Sequence, residues 1–454
     1  MTRAKTHPIA KIALYILLYG VTISLFASTL LFKGHQLQSP HVTMIRAIVV
    51  LLALIMLAKH TFYLSLCPWF DIIQIRRRKL GLVKGRYEPL VSVIIPAWNE
   101  EVGLLSTVKT LLESTYQNIE IVVINDGSTD GSDRIMQRFV ARYCSTMIST
   151  PNAPRLIYYY KENGGKGSAL NAGIRLSHGD IILSIDADCM VSPDAIAHFV
   201  VHFADPEVMA AVGNVKIGNT RTLIGSIQHL EYLFSFYFKK ADSILNTIYI
   251  IGGAAGAFRR EVFERIGMYS TTSITEDLDL SMRIQKAGMR IVYASDAIIF
   301  TEGASDLAGL IRQRLRWKRG RFETFRAHRS LFFSTNKRHN KLLTWIILPL
   351  AIFGDLQLGF EPSFIAVLYF FSLLTQDFSV FIAGVVIVVM IFLIQLADDQ
   401  QYRSLPFLTF IPIGWLLFYL TTVVEIYALL RSCWDLLHRH QPRWQHWKRT
   451  GTFS

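Results

Sequence analysis

The chain has 454 residues, with 47 Lys and Arg against 34 Asp and Glu, a formal charge of +13, 51% hydrophobic residues and 18% charged ones. Soluble domains carry about 25% charged residues, so the composition argues against a wholly soluble protein, and its apolar content excludes an intrinsically disordered one. Four cysteines, Cys67, Cys144, Cys189 and Cys433, lack the spacing of a zinc site or a disulfide framework.

In chain order, Ile9 to Phe32 is a hydrophobic run too long for a signal-peptide core, and Ile45 to about Leu66 is a second, interrupted by Lys59 and His60. Both are expected to span a membrane. The basic cluster Arg76, Arg77, Arg78, Lys79, Lys84 and Arg86 then sets the next region on the cytoplasmic side, together with the N-terminal Arg3 and Lys5. The expected division is 1–70 for two transmembrane helices, 71–88 for a basic cytosolic linker, 89–330 for a soluble domain ending in amphipathic interfacial helices, 331–432 for C-terminal transmembrane helices, and 433–454 for a basic cytosolic tail. Val380 to Leu396 and Leu405 to Leu430 read as spans; Leu342 to Leu374 reads as two short crossings or as one helix plus a re-entrant piece. A cytoplasmic tail demands an even number of crossings after the soluble domain, about four, and roughly six in all. The basic residues flank membrane spans, where anionic headgroups are a nearer partner than nucleic acid.

Within the soluble region, the apolar runs Val91–Ile95, Ile119–Ile124, Leu156–Tyr160, Ile181–Ile185 and Ile291–Tyr293 alternate with helical patterns such as Leu104, Leu105, Val108, Leu111 and Leu112. That alternation implies a parallel α/β sheet covered on both faces, which binds ligands beyond the carboxyl ends of its strands. The residues just after each run therefore carry the functional signal.

After the second run comes Asn125-Asp126-Gly127-Ser128, which taken alone is an Asp-Gly turn with a Ser helix cap. After the fourth comes Asp186-Ala187-Asp188, two carboxylates able to hold a hard divalent cation and, through it, a diphosphate. Thr275-Glu276-Asp277 offers a general base, and equally a helix N-cap with an acidic first turn. Gln313-Arg314-Leu315-Arg316-Trp317 offers an Arg for phosphate and an aromatic platform for a sugar ring, and equally an amphipathic basic helix on a lipid surface. Asn163-Gly164-Gly165-Lys166-Gly167 fails as a Walker A loop, because Tyr160 stands where Gly is needed and no Ser or Thr follows the Lys. Gly252 to Gly256 lacks the dinucleotide spacing.

In this order, and with Val93-Ile94-Ile95-Pro96-Ala97-Trp98-Asn99-Glu100 at the head, the motifs resemble those of family 2 glycosyltransferases, specifically the membrane-embedded processive synthases of cellulose, hyaluronan, chitin oligosaccharides and poly-β-1,6-N-acetylglucosamine. The layout is most similar to the last type. The resemblance implies an α/β GT-A (Rossmann-like) cytosolic domain inserted between transmembrane helices of a multi-pass inner or cell membrane protein. It implies Asn99, Glu100 and Asp126 at the uridine, Lys166 near the nucleotide, and Asp186 and Asp188 at the donor and a Mg²⁺ or Mn²⁺, with Asp188 the more direct ligand. Asp277 would be the base, Gln313, Arg316 and Trp317 would serve the diphosphate and the acceptor sugar, and Gly252, Gly253 and Glu276 would shape the acceptor site.

The activity implied is inverting transfer from a UDP-sugar, best matched by UDP-N-acetylglucosamine, to a growing β-linked polysaccharide translocated through the bilayer, with a small membrane or periplasmic export partner. A non-processive transfer of one sugar to a lipid is the alternative, and an inactive channel or scaffold is disfavoured by the intact Asp126, Asp186, Asp188 and Asp277. Trp447-Lys448-Arg449-Thr450-Gly451 is loosely similar to the Trp- and Thr-containing gating elements of such synthases.

Overall fold

The computed structural model describes residues 62–76, 87–147, 154–376, 378–398, 411–438 and 451, with isolated helical positions before residue 52. The first expected span, most of the second, most of the basic linker, residues 405–410 and most of the 447–451 segment lie outside the described residues. The chain divides into two compact units, one of residues 75–232, 242–351 and 427–454, the other of residues 1–74, 233–241 and 352–426.

The first of these is built on a sheet. Its elements run β1 (Val91–Ala97), α1 (Leu104–Leu112), β2 (Ile119–Asp126), α2 (Ser132–Met147), β3 (Arg155–Lys161), α3 (Lys166–Leu176), β4 (Ile181–Ser184), β5 (Cys189–Val191), α4 (Ala195–Phe203), β6 (Val208–Ile217), α5 (Leu223–Leu245, whose residues 233–241 are counted in the other unit), β7 (Gly256–Arg259), α6 (Arg260–Ile266), α7 (Glu276–Lys286), β8 (Arg290–Thr301) and α8 (Leu307–Ala327). The strands lie in the order β3-β2-β1-β4-β7-β6-β8-β5. Every residue of β2 and all but one of β1 are buried, which is why these strands read as near-continuous apolar runs and not as alternating ones.

The expected parallel sheet is half right. β3, β2, β1 and β4 run parallel, as does β6 with β8, but β7 runs antiparallel to β4 and β6, and β5 antiparallel to β8. The reason is where the chain re-enters. Gly256, the first residue of β7, pairs with Ser184, the last of β4, so β7 starts at the carboxyl end of β4 and must run back along it. This reversal delivers residues 252–255 to the end of the sheet where the loops after β1, β2 and β4 gather.

In the other unit, a helix over residues 62–76 packs Leu64 and Cys67 against Tyr237 and Ala241 and against Ile391 and Ile394. Lys240, nearly fully buried, bridges Asp71 at 3.0 Å and Asp398 at 2.6 Å. A buried ammonium with two carboxylates on different segments fixes how those segments meet, because losing any partner strands a charge. Residues Leu343–Ile347, counted in the sheet-bearing unit, form a π turn leading into α9 (Leu348–Thr375), followed by α10 (Ser379–Asp398) and α11 (Ile411–Leu437), with residues 352–426 counted in the second unit. The Leu342–Leu374 stretch is therefore a single helix that runs through Pro362, in place of two short crossings or a re-entrant piece. Three long helices are described after Leu342, and residues 399–410, within the stretch where about four crossings are expected, lie outside the described residues. Among the described residues, Leu343–Thr375 is the helix long and apolar enough to cross a membrane.

Candidate active site

The loops beyond β1 and β2 interlock. Asn99, two residues past β1, sits in the left-handed region at φ 54°, which Asn tolerates better than most residues. Its N–H donates to Ser128 Oγ at 3.0 Å, and its Oδ1 accepts from Thr129 N–H at 2.7 Å. The Glu100 N–H donates to Ser132 Oγ at 3.0 Å. Gly127 turns the chain at φ 71°, where a β-carbon would stand 2.7 Å from the Asn163 nitrogen, so the turn after β2 admits no side chain.

Asp126 ends β2 and is buried. Its Oδ1 takes the Lys161 ammonium at 2.5 Å and the Gly164 N–H at 3.0 Å, and its Oδ2 takes the Gly165 N–H at 2.8 Å. Asp126 and Lys161 are register partners on neighbouring parallel strands. The carboxylate expected at a uridine thus also builds the loop that leads into α3, and Lys161 is a participant that the sequence reading missed.

That loop delivers Lys166, the first residue of α3, to the centre of the site. Its Nζ lies 2.5 Å from Asp186 Oδ1 and 3.6 Å from Glu276 Oε1. Burial alone would lower the Lys166 pKa, but Asp186, Glu276 and Asp277 together raise it, so the ammonium stays charged. Burial, with Asp277 and Asp186 adding to it against the pull of Lys166, drives the Glu276 carboxyl above the usual carboxylate range. Asp277, beside it, accepts the Gly253 N–H on Oδ2 at 3.0 Å and the Leu278 N–H on Oδ1 at 2.8 Å. Gly253 O in turn accepts the Ser184 hydroxyl at 3.0 Å. The residues expected on the donor side (Lys166, Asp186) and on the acceptor side (Gly253, Glu276, Asp277) therefore form one connected polar cluster. Gly252 accepts the Ala255 N–H at 3.3 Å and shapes the turn around it.

Asp188 is buried, and its Oδ1 lies 3.4 Å from Thr301 Oγ1 and 3.6 Å from Cys189 Sγ. Burial pushes the Tyr232 hydroxyl up to about 12, with Arg314 drawing it down and Glu231 and Asp188 adding to the rise. On α8, Gln313 is buried, while Arg316 and Trp317 are partly exposed. Arg314, which the sequence reading passed over, is buried, pairs with Glu231 of α5, and has its guanidinium carbon 4.6 Å from the Trp317 ring centroid.

Among the described residues no cluster of three or more His, Cys, Asp or Glu forms a ready metal cage. Mg²⁺ is ordinarily held by one or two carboxylates completed by substrate phosphates. Asp186 and Asp188, hard oxygen donors one residue apart at the end of β4, fit that mode.

Two family profiles match the chain: Glycosyl transferase family 2 over residues 92–267 and Glycosyl transferase family group 2 over residues 181–427. The poly-β-1,6-N-acetyl-D-glucosamine synthase of Staphylococcus aureus strain COL is 29% identical over 249 residues, 54% of this chain and 57% of that one. Its Staphylococcus epidermidis counterpart is 28% identical over 274 residues, 60% of this chain and 63% of that one. The chain matches about three-fifths of the length of these curated relatives. Among solved structures, the mannosyltransferase PcManGT from Pyrobaculum calidifontis, in complex with GDP-Man and Mn²⁺, superimposes with a TM-score of 0.50 at 21% identity, over 84% of this chain and 99% of that one; this likeness is one of fold. With the second profile spanning more than half of its length, the chain belongs to the family 2 glycosyltransferases and carries their GT-A fold.

Proposed function

We propose that the protein is an inverting, membrane-embedded polysaccharide synthase that uses a UDP-sugar, UDP-N-acetylglucosamine first among them, and keeps its catalytic unit in the cytoplasm. The observation that carries this reading is the Lys166 ammonium between Asp186 and Glu276, with Asp277 held alongside by the Gly253 amide. Donor-side charge and an acceptor-side carboxylate are then within one cluster, as a direct displacement requires.

Asp277 takes the proton of the acceptor hydroxyl as its oxygen bonds to the anomeric carbon. The bond from that carbon to the β-phosphate oxygen breaks in the same step, and UDP leaves with the electron pair. Attack opposite the leaving group inverts the centre, so an α-linked donor gives a β-linkage. The Gly253 N–H fixes the carboxylate's direction, and Glu276 and Gly252 line the acceptor side. Asn99, Glu100 and Asp126 serve the nucleotide, Gln313 and Arg316 the diphosphate, and Trp317 the face of the acceptor sugar. A Mg²⁺ or Mn²⁺ held by Asp188 and Asp186 would supply charge to the departing diphosphate. The relatives named as poly-β-1,6-N-acetyl-D-glucosamine synthases support the choice of sugar, and the apolar helix Leu343–Thr375 supports the membrane.

The test is a panel of UDP-sugars incubated with the purified full chain in lipid, following UDP release and product size. UDP release with UDP-N-acetylglucosamine and a high-molecular-weight product are expected. Absence of release with every UDP-sugar would refute the donor class, and a product carrying a single sugar on lipid would replace polymerisation by single transfer.

A further inference from the structure

We propose that Arg314 and Glu231 are positioning residues for the Trp317 indole, holding it as a pre-ordered platform for the acceptor sugar. The inference deepens the reading above and rests on it.

Arg314 is the second residue of the Gln313–Trp317 run, and a surface basic helix would turn it toward lipid or solvent. It is instead buried. Its guanidinium pairs with Glu231 of α5 and lies with its carbon 4.6 Å from the centre of the Trp317 ring, on the same helix and three residues on. Residues three apart are neighbours on a helix surface, so the ring and the guanidinium meet without distorting α8. The planar guanidinium can do both jobs at once, stacking on an aromatic face while its edge meets a carboxylate. Glu231 sits on α5, so the indole is referenced to a second helix and not merely to its own.

An indole that already occupies one orientation loses little freedom when a sugar settles on it. Preordering should therefore show in acceptor affinity and product length and leave the donor side untouched. A role confined to holding α5 against α8 would lower stability and donor and acceptor parameters together.

The discriminating substitution is Arg314→Lys, which keeps the charge opposite Glu231 and removes the planar stack. UDP release is measured with saturating UDP-N-acetylglucosamine and a varied N-acetylglucosamine oligosaccharide as acceptor. The expected result is an acceptor KM raised about tenfold, unchanged donor KM and Tm, and shorter products. Because the effect runs through Trp317, Trp317→Ala and Arg314→Lys combined should be no worse than Trp317→Ala alone. Additive losses, or an unchanged acceptor KM in Arg314→Lys, would overturn the inference. Fluorine NMR of 5-fluorotryptophan-labelled protein, with the Trp317 line assigned by Trp317→Phe, gives a readout independent of turnover. Arg314→Lys and Glu231→Gln should both shift and broaden that line, and an unmoved line would overturn the inference as well. An enzyme inactive with all UDP-sugars refutes the donor reading, while the fluorine line still decides whether Arg314 orders the indole.

Discussion

Gly320 lies so close under Thr275 that a β-carbon placed on it would stand 2.3 Å from the threonine Cγ2. Thr275 immediately precedes Glu276 and Asp277, and Gly320 is three residues beyond Trp317. The contact continues along both helices: Thr324 Oγ1 is 3.2 Å from Thr275 Oγ1, and His328 Nε2 is 2.8 Å from Asp279 Oδ1. Gly320, Thr324 and His328, at steps of four along α8 and its C-cap, meet Thr275 and Asp279, the N-cap and first turn of α7, so the two helices that carry the acceptor-side groups are locked in register.

Gly320→Ala tests that lock. The added methyl has no room, and overpacking of this kind costs about 1–3 kcal/mol. The expected outcome is a Tm lower by a few degrees, and a kcat for UDP release reduced by about tenfold to a hundredfold as Asp277 is displaced. Thr275→Ala in the same chain removes the two atoms nearest the methyl and should restore part of the loss. A Gly320→Ala enzyme with wild-type kcat would show that the register of α7 against α8 is not critical.

Asp277→Asn should reduce UDP release by about 10²–10⁴-fold, the range of a lost general base. The amide oxygen can still accept the Gly253 N–H, while the bond from the Leu278 N–H is lost, so the turn at 252–253 stays built and donor affinity should change by less than about threefold. Donor binding measured by calorimetry alongside single-turnover UDP release separates the two effects. Release at the wild-type rate would remove Asp277 as the base.

Much of this was legible from the chain alone, and the places where legibility failed have physical causes. The parallel half of the sheet announced itself because β1, β2 and β4 are buried apolar runs. β6 and β7 did not, because Met209-Ala210-Ala211-Val212-Gly213 and Gly256-Ala257 are small-residue stretches without a strand-like alternation. The acidic motifs were readable because carboxylates at strand ends point into the crevice. The partners that orient them were not. Lys161 reaches Asp126 through strand register, Gly253 acts through its backbone N–H, and Arg314 turns inward where its charge pattern suggested an exposed face. Each depends on a neighbour distant in sequence.

Removal of divalent metal supplies a further test. Chelation should abolish UDP release, and Mg²⁺ or Mn²⁺ should restore it. Asp188→Asn leaves a neutral oxygen donor in place of a charged one. Hard cations hold such a ligand more weakly, so the metal concentration for half-maximal activity should rise by about tenfold or more, while kcat at saturating metal recovers at least in part. Activity indifferent to chelation would mean that Lys166 and the Arg residues of α8 alone carry the diphosphate charge.

The last prediction concerns stability and pH. Glu120 on β2 is 2% exposed, yet it faces Ser92 across β1. Its Oε1 accepts the Ser92 hydroxyl at 2.6 Å, the His178 N–H and the Gly179 N–H at 3.2 Å, and its Oε2 lies 3.3 Å from His178 Nδ1. Burial works to raise its pKa, but the hydrogen bonds from His178 and Ser92 outweigh it, and the folded-state pKa lies below the usual value. A carboxylate with a depressed folded pKa contributes stability that is fully present above the unfolded pKa, about 4.3. That contribution fades as pH falls from there through the lower folded value. Glu120→Gln should therefore cost about 1–3 kcal/mol at neutral pH, with a gap to wild type that is flat above pH ~6 and closes in acid. Thermal unfolding of both chains at a series of pH values reads the gap directly. A gap that stays constant into acid, or widens there, would mean that the turn between α3 and β4 is held by packing and not by the ionised Glu120.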